Sequence, residues 1–235
     1  MILNSDQFHV HGWWGPRTET LEACASRIQL FLDLIEPLDP ALTTWYEQAS
    51  SRRAGLNRPI RHDNDSITRV VRKGVFSPQE PNPATQIGAW NGDRLRLVVR
   101  CGETAPILSN VVHLELPSSA TDGHELEGAL AEGALTAAVD AFEPDWAVIS
   151  TDSLQRELVS GNQRRYGGFI TFLSAADRVF QLPHGVNLQT LRQGFVFRLA
   201  DRSFIPSDPG QRRAIGQVTQ LLSHLQGDNR RIQRH

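Results

Sequence analysis

Residues 86–101 read QIGAWNGDRLRLVVRC, and this stretch gives the clearest indication of the fold. The Asn91-Gly92 dipeptide is a strong signal for a two-residue β-hairpin turn. In the run Arg94–Cys101, apolar side chains recur at every second position, as in a strand with one buried face. The stretch therefore predicts two antiparallel strands, over 86–90 and 94–101, joined by a tight turn.

Further strands are predicted on both sides of this hairpin. Asn110–Leu116 is strand-like and would complete an antiparallel meander over about residues 86–116. Upstream, residues 8–14 read as a short strand with Phe8 and Val10 on one face. Later strands are predicted from short apolar runs at 146–150, 168–173 and 194–199.

Three long helices are predicted by apolar residues recurring at spacings of three and four. The first spans about residues 18–36, with Thr18 as its N-cap. The second spans 125–142. The third spans 209–225, and Pro209 suits its first helical position.

The remaining segments are predicted to be short or irregular. We expect short helices over 40–48 and 67–73, separated by a polar loop over 50–65. Strands interspersed with long helices are typical of the α+β class. The prediction is a single domain over 1–235, in which an antiparallel sheet packs with the N-terminal, middle and C-terminal helices. The charged tail, 227–235, is expected to fray.

Charge is unevenly distributed, although the net charge is only −2. Residues 115–157 carry ten acids and one base, which gives this segment a net charge of −9. Residues 158–235 carry a net charge of +7. Such asymmetry bears on partners rather than on fold. A slightly negative total argues against a large phosphate-binding face, so no nucleic-acid partner is expected.

Sequence motifs for catalysis and nucleotide binding are absent. The sequence holds no G-x-x-x-x-G-K-S/T phosphate loop and no G-x-S-x-G nucleophile elbow. We therefore expect no enzymatic activity and no cofactor. A small hydrolase whose catalytic residues are scattered along the chain remains the alternative.

Histidines and cysteines are the other candidate reactive groups. His9 and His11 alternate on a predicted strand, so both rings could reach one metal ion. No third ligand follows at a convincing spacing, and the prediction is that no metal binds. Cys24 and Cys101 are expected to be buried free thiols, with a disulfide between them left open.

The N-terminus lacks the basic region and apolar run of a signal peptide. No apolar run approaches the roughly 18 residues that a membrane-spanning helix needs. The expectation is a cytoplasmic protein without membrane association.

A family resemblance rests on the segment HGWWGPR at residues 11–17, followed by Glu19, Glu22 and Cys24-Ala25. This pattern resembles the N-terminal signature of the immunity protein 52 family, which are bacterial toxin-immunity proteins. The likeness continues through Trp45-Tyr46, Trp90-Asn91-Gly92 and the run EPDW at 143–146.

The resemblance implies a binding protein. Family members are encoded beside type VI secretion or polymorphic toxins, which are often nucleases with a restriction-endonuclease-like fold. They bind the cognate toxin in the cytoplasm of the producing cell and neutralise it without a cofactor. The alternative within the same setting is an adaptor or chaperone that holds a secretion effector without inhibiting it.

The resemblance and the charge pattern together suggest two sets of residues. A nuclease presents a basic groove, and the acidic segment 115–157 would complement it. The predicted toxin-facing rim comprises Asp122, Glu125, Glu127 and Glu132. The signature residues are predicted to maintain the scaffold, and they are Trp13, Trp14, Gly15, Arg17, Trp45 and Trp146. In this prediction Trp14 fills the core under the first helix, and Arg17 pairs with a buried carboxylate or stacks on an aromatic ring.

Overall fold

The computed structural model describes residues 7–76, 83–105, 109–118, 125–159, 165–174, 182–192 and 194–232, with side chains in the last helix described as far as Ser223. Ten strands of the described chain form one antiparallel sheet: β1 (Phe8–Trp14), β2 (Trp45–Glu47), β3 (Pro59–Ile60), β4 (Thr85–Trp90), β5 (Arg96–Cys101), β6 (Asn110–Glu115), β8 (Trp146–Thr151), β9 (Ile170–Ser174), β10 (Val186–Leu191) and β11 (Gly194–Leu199). Two shorter strands, β7 (Leu126–Glu127) and β12 (Ser203–Phe204), pair separately.

The helices of the described chain are α1 (Leu21–Ile35), α2 (Arg52–Leu56), α3 (Asn64–Lys73), α4 (Gly128–Phe142), α5 (Asp152–Leu158) and α6 (Pro209–Ile232). Two single 3₁₀ turns, Glu36–Leu38 and Pro40–Leu42, follow α1. This composition confirms the predicted α+β class. None of these helices is both long and apolar enough to cross a bilayer.

The order of strands in the large sheet is β10-β11-β9-β8-β1-β6-β5-β4-β2-β3. The predicted meander is confirmed, because β4, β5 and β6 are adjacent and antiparallel. The N-terminal strand β1 lies in the interior of the sheet, between β6 and β8. The first strand of the chain thus joins the meander to the later strands.

One face of the sheet packs against α1, α3 and α4. On β1, this face presents Phe8, Val10 and Trp14, which are all buried. The Trp14 ring lies parallel to that of Phe142 in α4, with 5.4 Å between centroids. Phe142 also contacts Phe31 of α1, at 5.3 Å. These aromatic contacts join the central strand β1 to α4 and, through Phe142, to α1.

Several predicted helix ends are shifted in the structure. Helix α1 begins at Leu21, because Thr20 rather than Thr18 caps it by accepting a hydrogen bond from the backbone N–H of Ala23. Helix α3 begins at Asn64, three residues earlier than predicted, and Asp63 is its cap. Helix α4 begins at Gly128, because the two preceding residues pair with β12 instead.

The segment around Trp45 was predicted to be helical, and this prediction is wrong. Trp45–Glu47 forms β2, which pairs with both β3 and β4. The 3₁₀ turn at Pro40–Leu42 accounts for the helical character of the preceding residues. Aromatic residues favour strands when a neighbouring strand is available, and here Trp45 lies opposite Ile60 of β3 and Tyr46 lies opposite Trp90 of β4.

Other differences lie in regions where local patterns were weak. The predicted loop over 50–65 contains α2 and β3. Strand β10 was not predicted, and its mostly exposed, polar sequence fits an edge position. Helix α6 continues to Ile232 instead of ending at 225.

Candidate functional site

The residues of the predicted acidic rim differ in exposure and in ion pairing. Glu125 and Glu127 are exposed beside β7. Glu132, on α4, forms an ion pair with Arg198 of β11. Asp122 lies outside the described residues.

Other acids of the 115–157 segment are paired with arginines from elsewhere in the chain. Asp140 accepts a hydrogen bond from Arg192, at 2.7 Å. Glu157 pairs with Arg212 of α6. Part of the charge asymmetry of the sequence is therefore neutralised where the chain folds back on itself, and the exposed acidic region is smaller than the segment.

The signature residues at 13–17 meet the EPDW run of 143–146 in space. Trp13 lies opposite Trp146 in the β1–β8 ladder, and their rings stack at 4.1 Å. The backbone N–H of Gly15 donates to the Asp145 carboxylate at 2.8 Å. The backbone N–H of Asp145 in turn donates to the Trp13 carbonyl at 2.8 Å. Two segments 130 residues apart thus form one contact network.

Arg17 lies at the C-terminal end of α4. Its guanidinium donates to the carbonyls of Phe142 and Glu143, at 2.9 and 3.0 Å. It also lies over the Trp14 ring, 5.8 Å from the centroid, and 3.8 Å from the buried carboxylate of Glu19. These contacts satisfy carbonyls that a helix end leaves without intrahelical partners.

Trp45 and Trp146 are both buried. The Trp45 indole N–H donates to the Leu42 carbonyl at 2.9 Å, which fixes the 3₁₀ turn onto β2. Trp146 packs between Trp13 and Tyr166, whose rings lie 4.1 and 5.0 Å away. Burial raises the pKa of Tyr166.

Three histidines come together on the opposite face of the sheet from α1 and α4. His9 and His11 alternate on β1, and the antiparallel register places His113 of β6 directly opposite His11. The ring centroids of His9 and His11 lie 4.9 and 5.0 Å from that of His113. Local sequence does not reveal this group, because His113 follows 102 residues after His11.

The surroundings of His11 and His113 favour neutral imidazoles. Burial, followed by repulsion from His113 and His9, lowers the pKa of His11 well below its usual value. Burial also lowers the pKa of His113, against the attraction of the Asp152 carboxylate. Asp152, at the start of α5, lies 3.6 Å from Nδ1 of His9.

The cysteines are both buried and free. Interaction with the Cys24 thiol and burial raise the pKa of Cys101 well above its usual value. The neighbouring Glu19 carboxylate is engaged by Arg27, at 2.7 Å. Protonated, buried thiols are poor nucleophiles, so this cluster has the character of core packing.

A polar depression of about 980 Å³ lies between α3 and the β3 edge of the sheet. Its basic residues include Arg58 and Arg61, which belong to a basic cluster in the sequence, together with Arg69 and Lys73. Glu47 at its floor forms an ion pair with Lys73 at 2.9 Å, and also pairs with Arg69. Basic and acidic groups are therefore mixed across this surface.

Comparison with known families places this sheet protein among the immunity proteins. The model of the family described as immunity protein 52 matches residues 6–226. The chain belongs to the immunity protein 52 family. No curated protein matches the sequence.

Among solved structures, the chain is similar to the Pseudomonas aeruginosa T6SS protein PA0821. The TM-score is 0.52 with 11% sequence identity, and the alignment covers 87% of this chain and 68% of that chain. At this identity the similarity concerns the fold.

Proposed function

We propose that this chain binds a secreted antibacterial toxin and neutralises it inside the producing cell, as a single domain acting in the cytoplasm. The observation that carries the proposal is the match to the immunity protein 52 family over residues 6–226. Inhibition is by stoichiometric binding, so the chain needs neither a catalytic step nor a cofactor.

The toxin in this proposal is a nuclease with a restriction-endonuclease-like fold. Such an enzyme binds a polyanion and presents a basic groove. Glu125 and Glu127 supply exposed negative charge on this chain, and Asp122 precedes them in the sequence as a further member of the proposed rim. Charges of opposite sign accelerate the encounter of two proteins more than they strengthen the final complex.

Glu132 differs from Glu125 and Glu127 because it already forms an ion pair within this chain. Because Glu132 is paired with Arg198, its charge is largely compensated before any toxin arrives. Its contribution to steering is therefore smaller than that of Glu125 or Glu127. Affinity comes from a few buried aromatic or arginine side chains rather than from the charged rim.

Co-expression with the toxin encoded by the adjacent gene tests the function. The expected result is that cells survive the toxin only when this chain is present, and that the two proteins co-purify. An adaptor or chaperone would co-purify with a toxin that stays active. A hydrolase would protect cells without forming a stable complex. Either outcome would replace the proposal.

A further inference from the structure

We propose that His9, His11 and His113 bind one divalent transition-metal ion, with Zn²⁺ as the best-fitting metal. This site is independent of the proposed toxin-binding function. It rests on the position of three imidazole rings on adjacent antiparallel strands.

The geometry of the backbone brings the three ligands together. His9 and His11 are two residues apart on β1, so both side chains point to the same face of the sheet. His113 lies opposite His11 on β6 and points to that face too. One candidate ligand atom from each residue lies within 4.8 Å of the other two.

These distances suit a tetrahedral ion. Zn²⁺ binds histidine nitrogen at about 2.0–2.1 Å, which holds the ligand nitrogens of a tetrahedral site about 3.4 Å apart. Small rotations of the imidazole rings about their side-chain torsions close the remaining gap. Three imidazole ligands are the donor set of a zinc site with an open fourth position, and softer or harder donors would favour other metals.

The stacking contact of His11 leaves the in-plane nitrogens of that ring for a metal. His11 stacks face to face on Trp13, with 3.5 Å between centroids, and such a contact uses the ring face rather than the nitrogen lone pairs. Nδ1 of His11 is buried without a hydrogen-bond partner in the described part of the chain. A buried polar atom in that state is costly unless something binds it.

The Asp152 carboxylate lies beside the Nδ1 edge of the His9 ring. Its Oδ1 lies 3.6 Å from Nδ1 of His9, so Nε2 of that ring would be the ligand atom. Metal-bound histidines commonly direct their second nitrogen to a carboxylate, which fixes the orientation of the ring. Asp152 thus acts as a positioning residue.

Two other groups of potential ligands in the described chain are less suitable. Glu19, Cys24 and Cys101 are buried, but the glutamate is engaged by Arg27 and a metal would require a thiolate. His62 lies 3.3 Å from the Glu36 carboxylate on the surface, an arrangement that an ordinary ion pair explains.

Titration of the full-length, chelator-treated protein with Zn²⁺ tests the site. We expect one ion per chain by isothermal titration calorimetry. At a free Zn²⁺ concentration about one hundred times Kd, the Tm should rise by roughly 5–10 °C. His11→Ala and His113→Ala should each weaken Zn²⁺ binding at least about tenfold. Even the loss of a residue that only hydrogen-bonds to a metal ligand lowers metal affinity by that factor. Replacement of Zn²⁺ by Co²⁺ should give the visible absorption of a tetrahedral complex.

Two control variants separate this site from incidental binding. His62→Ala removes the histidine of the surface group, and His184→Ala removes an exposed histidine outside all three groups. Both should bind Zn²⁺ as the unaltered protein does. If an alanine variant fails to fold without metal, His11→Gln and His113→Gln keep the side-chain size and serve instead. The proposal is overturned if the unaltered chain binds no Zn²⁺, if the cluster variants retain binding, or if His62→Ala alone abolishes it.

Discussion

Trp13 and Trp14 are neighbours in sequence but point to opposite faces of β1. Trp14 is 2% exposed and packs on Phe142 beneath the helices. Trp13 is half-buried and joins the row of rings formed by His11, Trp146 and Tyr166. The two tryptophans therefore hold different layers of the protein together.

Replacement of Trp14 by alanine should lower the free energy of unfolding by about 3–5 kcal/mol, because a large aromatic side chain leaves a cavity in the core. Chemical denaturation measures the loss, and Trp14→Phe should lose less because it fills more of the space. A Trp14→Ala protein with unchanged stability that no longer binds toxin would show that the residue contacts the partner instead.

The ion pairs of Glu47 should make stability depend on acid pH. Burial raises the pKa of Glu47, but hydrogen bonds from Lys73 and Arg69 outweigh it, and the pKa lies below the usual value of 4.5. The carboxylate therefore contributes stability above pH 4.5, and this contribution is lost as the pH falls through the lowered pKa. The Tm of Glu47→Gln should be lower near pH 7 and should fall less steeply below pH 4.5. Parallel pH profiles for the two proteins would contradict this role.

For single residues, a sequence pattern predicts shared faces only within one local repeat. The alternation of His9 and His11 was visible, and it indicated that both face one side of a strand. The third ring, His113, reaches them only through the β1–β6 register, which local sequence does not encode. A group of three histidines built from two strands was therefore not predicted.

Helix α4 depends on side chains from outside the helix at its C-terminal end. Arg17 donates to the Phe142 and Glu143 carbonyls, and Arg27 donates to the Ala141 carbonyl at 2.9 Å. Glu143 adopts a left-handed conformation, with φ of 48°, where the helix stops. The positive charges also complement the negative end of the helix dipole.

Arg17→Ala should therefore loosen the last turn of α4. We expect a loss of about 1–3 kcal/mol, since hydrogen bonds that involve a charged donor are removed and carbonyls are left unsatisfied. Hydrogen exchange should accelerate at the amides of this turn more than elsewhere. Arg213→Ala, at an exposed site on α6, should have no such effect. Equal exchange rates in the two variants would rule out the capping role.

At the scale of elements, the predictions were accurate where a segment carries its own periodic signal. The β4–β5 hairpin, β6, α1 and α4 follow from alternation, turn residues and helical spacing. The hairpin connection is nevertheless longer than predicted, because β5 begins at Arg96 and residues 91–95 form the turn. Trp45–Glu47 was misassigned because three residues carry no periodic signal of their own, and the strand forms by pairing with β3 and β4. Strand β10 lies at one end of the sheet order, and only Val186 of its six residues is buried.

Across the whole molecule, the fold redistributes charge that the linear sequence keeps apart. The acidic segment 115–157 and the basic segment 158–235 meet through pairs such as Asp140–Arg192 and Glu157–Arg212. Local net charge in the sequence therefore overstated the acidic surface. Neither these pairs nor the central position of β1 could be derived from the sequence, because both depend on the order of strands.

Reversal of the exposed charges tests the proposed rim. Glu125→Lys with Glu127→Lys should slow association with a basic toxin by about tenfold at low salt, and the difference should shrink as salt screens the charges. Surface plasmon resonance measures the association rate. Asp93→Lys, in the exposed β4–β5 turn, changes the net charge without altering the rim and should have a smaller effect. If the double variant associates at the unaltered rate, toxin docks elsewhere.

Stoichiometric binding is the mechanism proposed for neutralisation of the toxin by this chain. It is tested by titrating the proposed nuclease, purified from expression of the adjacent gene, with this protein and measuring its activity. We predict that activity falls linearly and disappears at one chain per toxin, with a complex of both proteins recovered by size-exclusion chromatography. Full nuclease activity within the complex, or inactivation by far less than one equivalent of this chain, would contradict the claim.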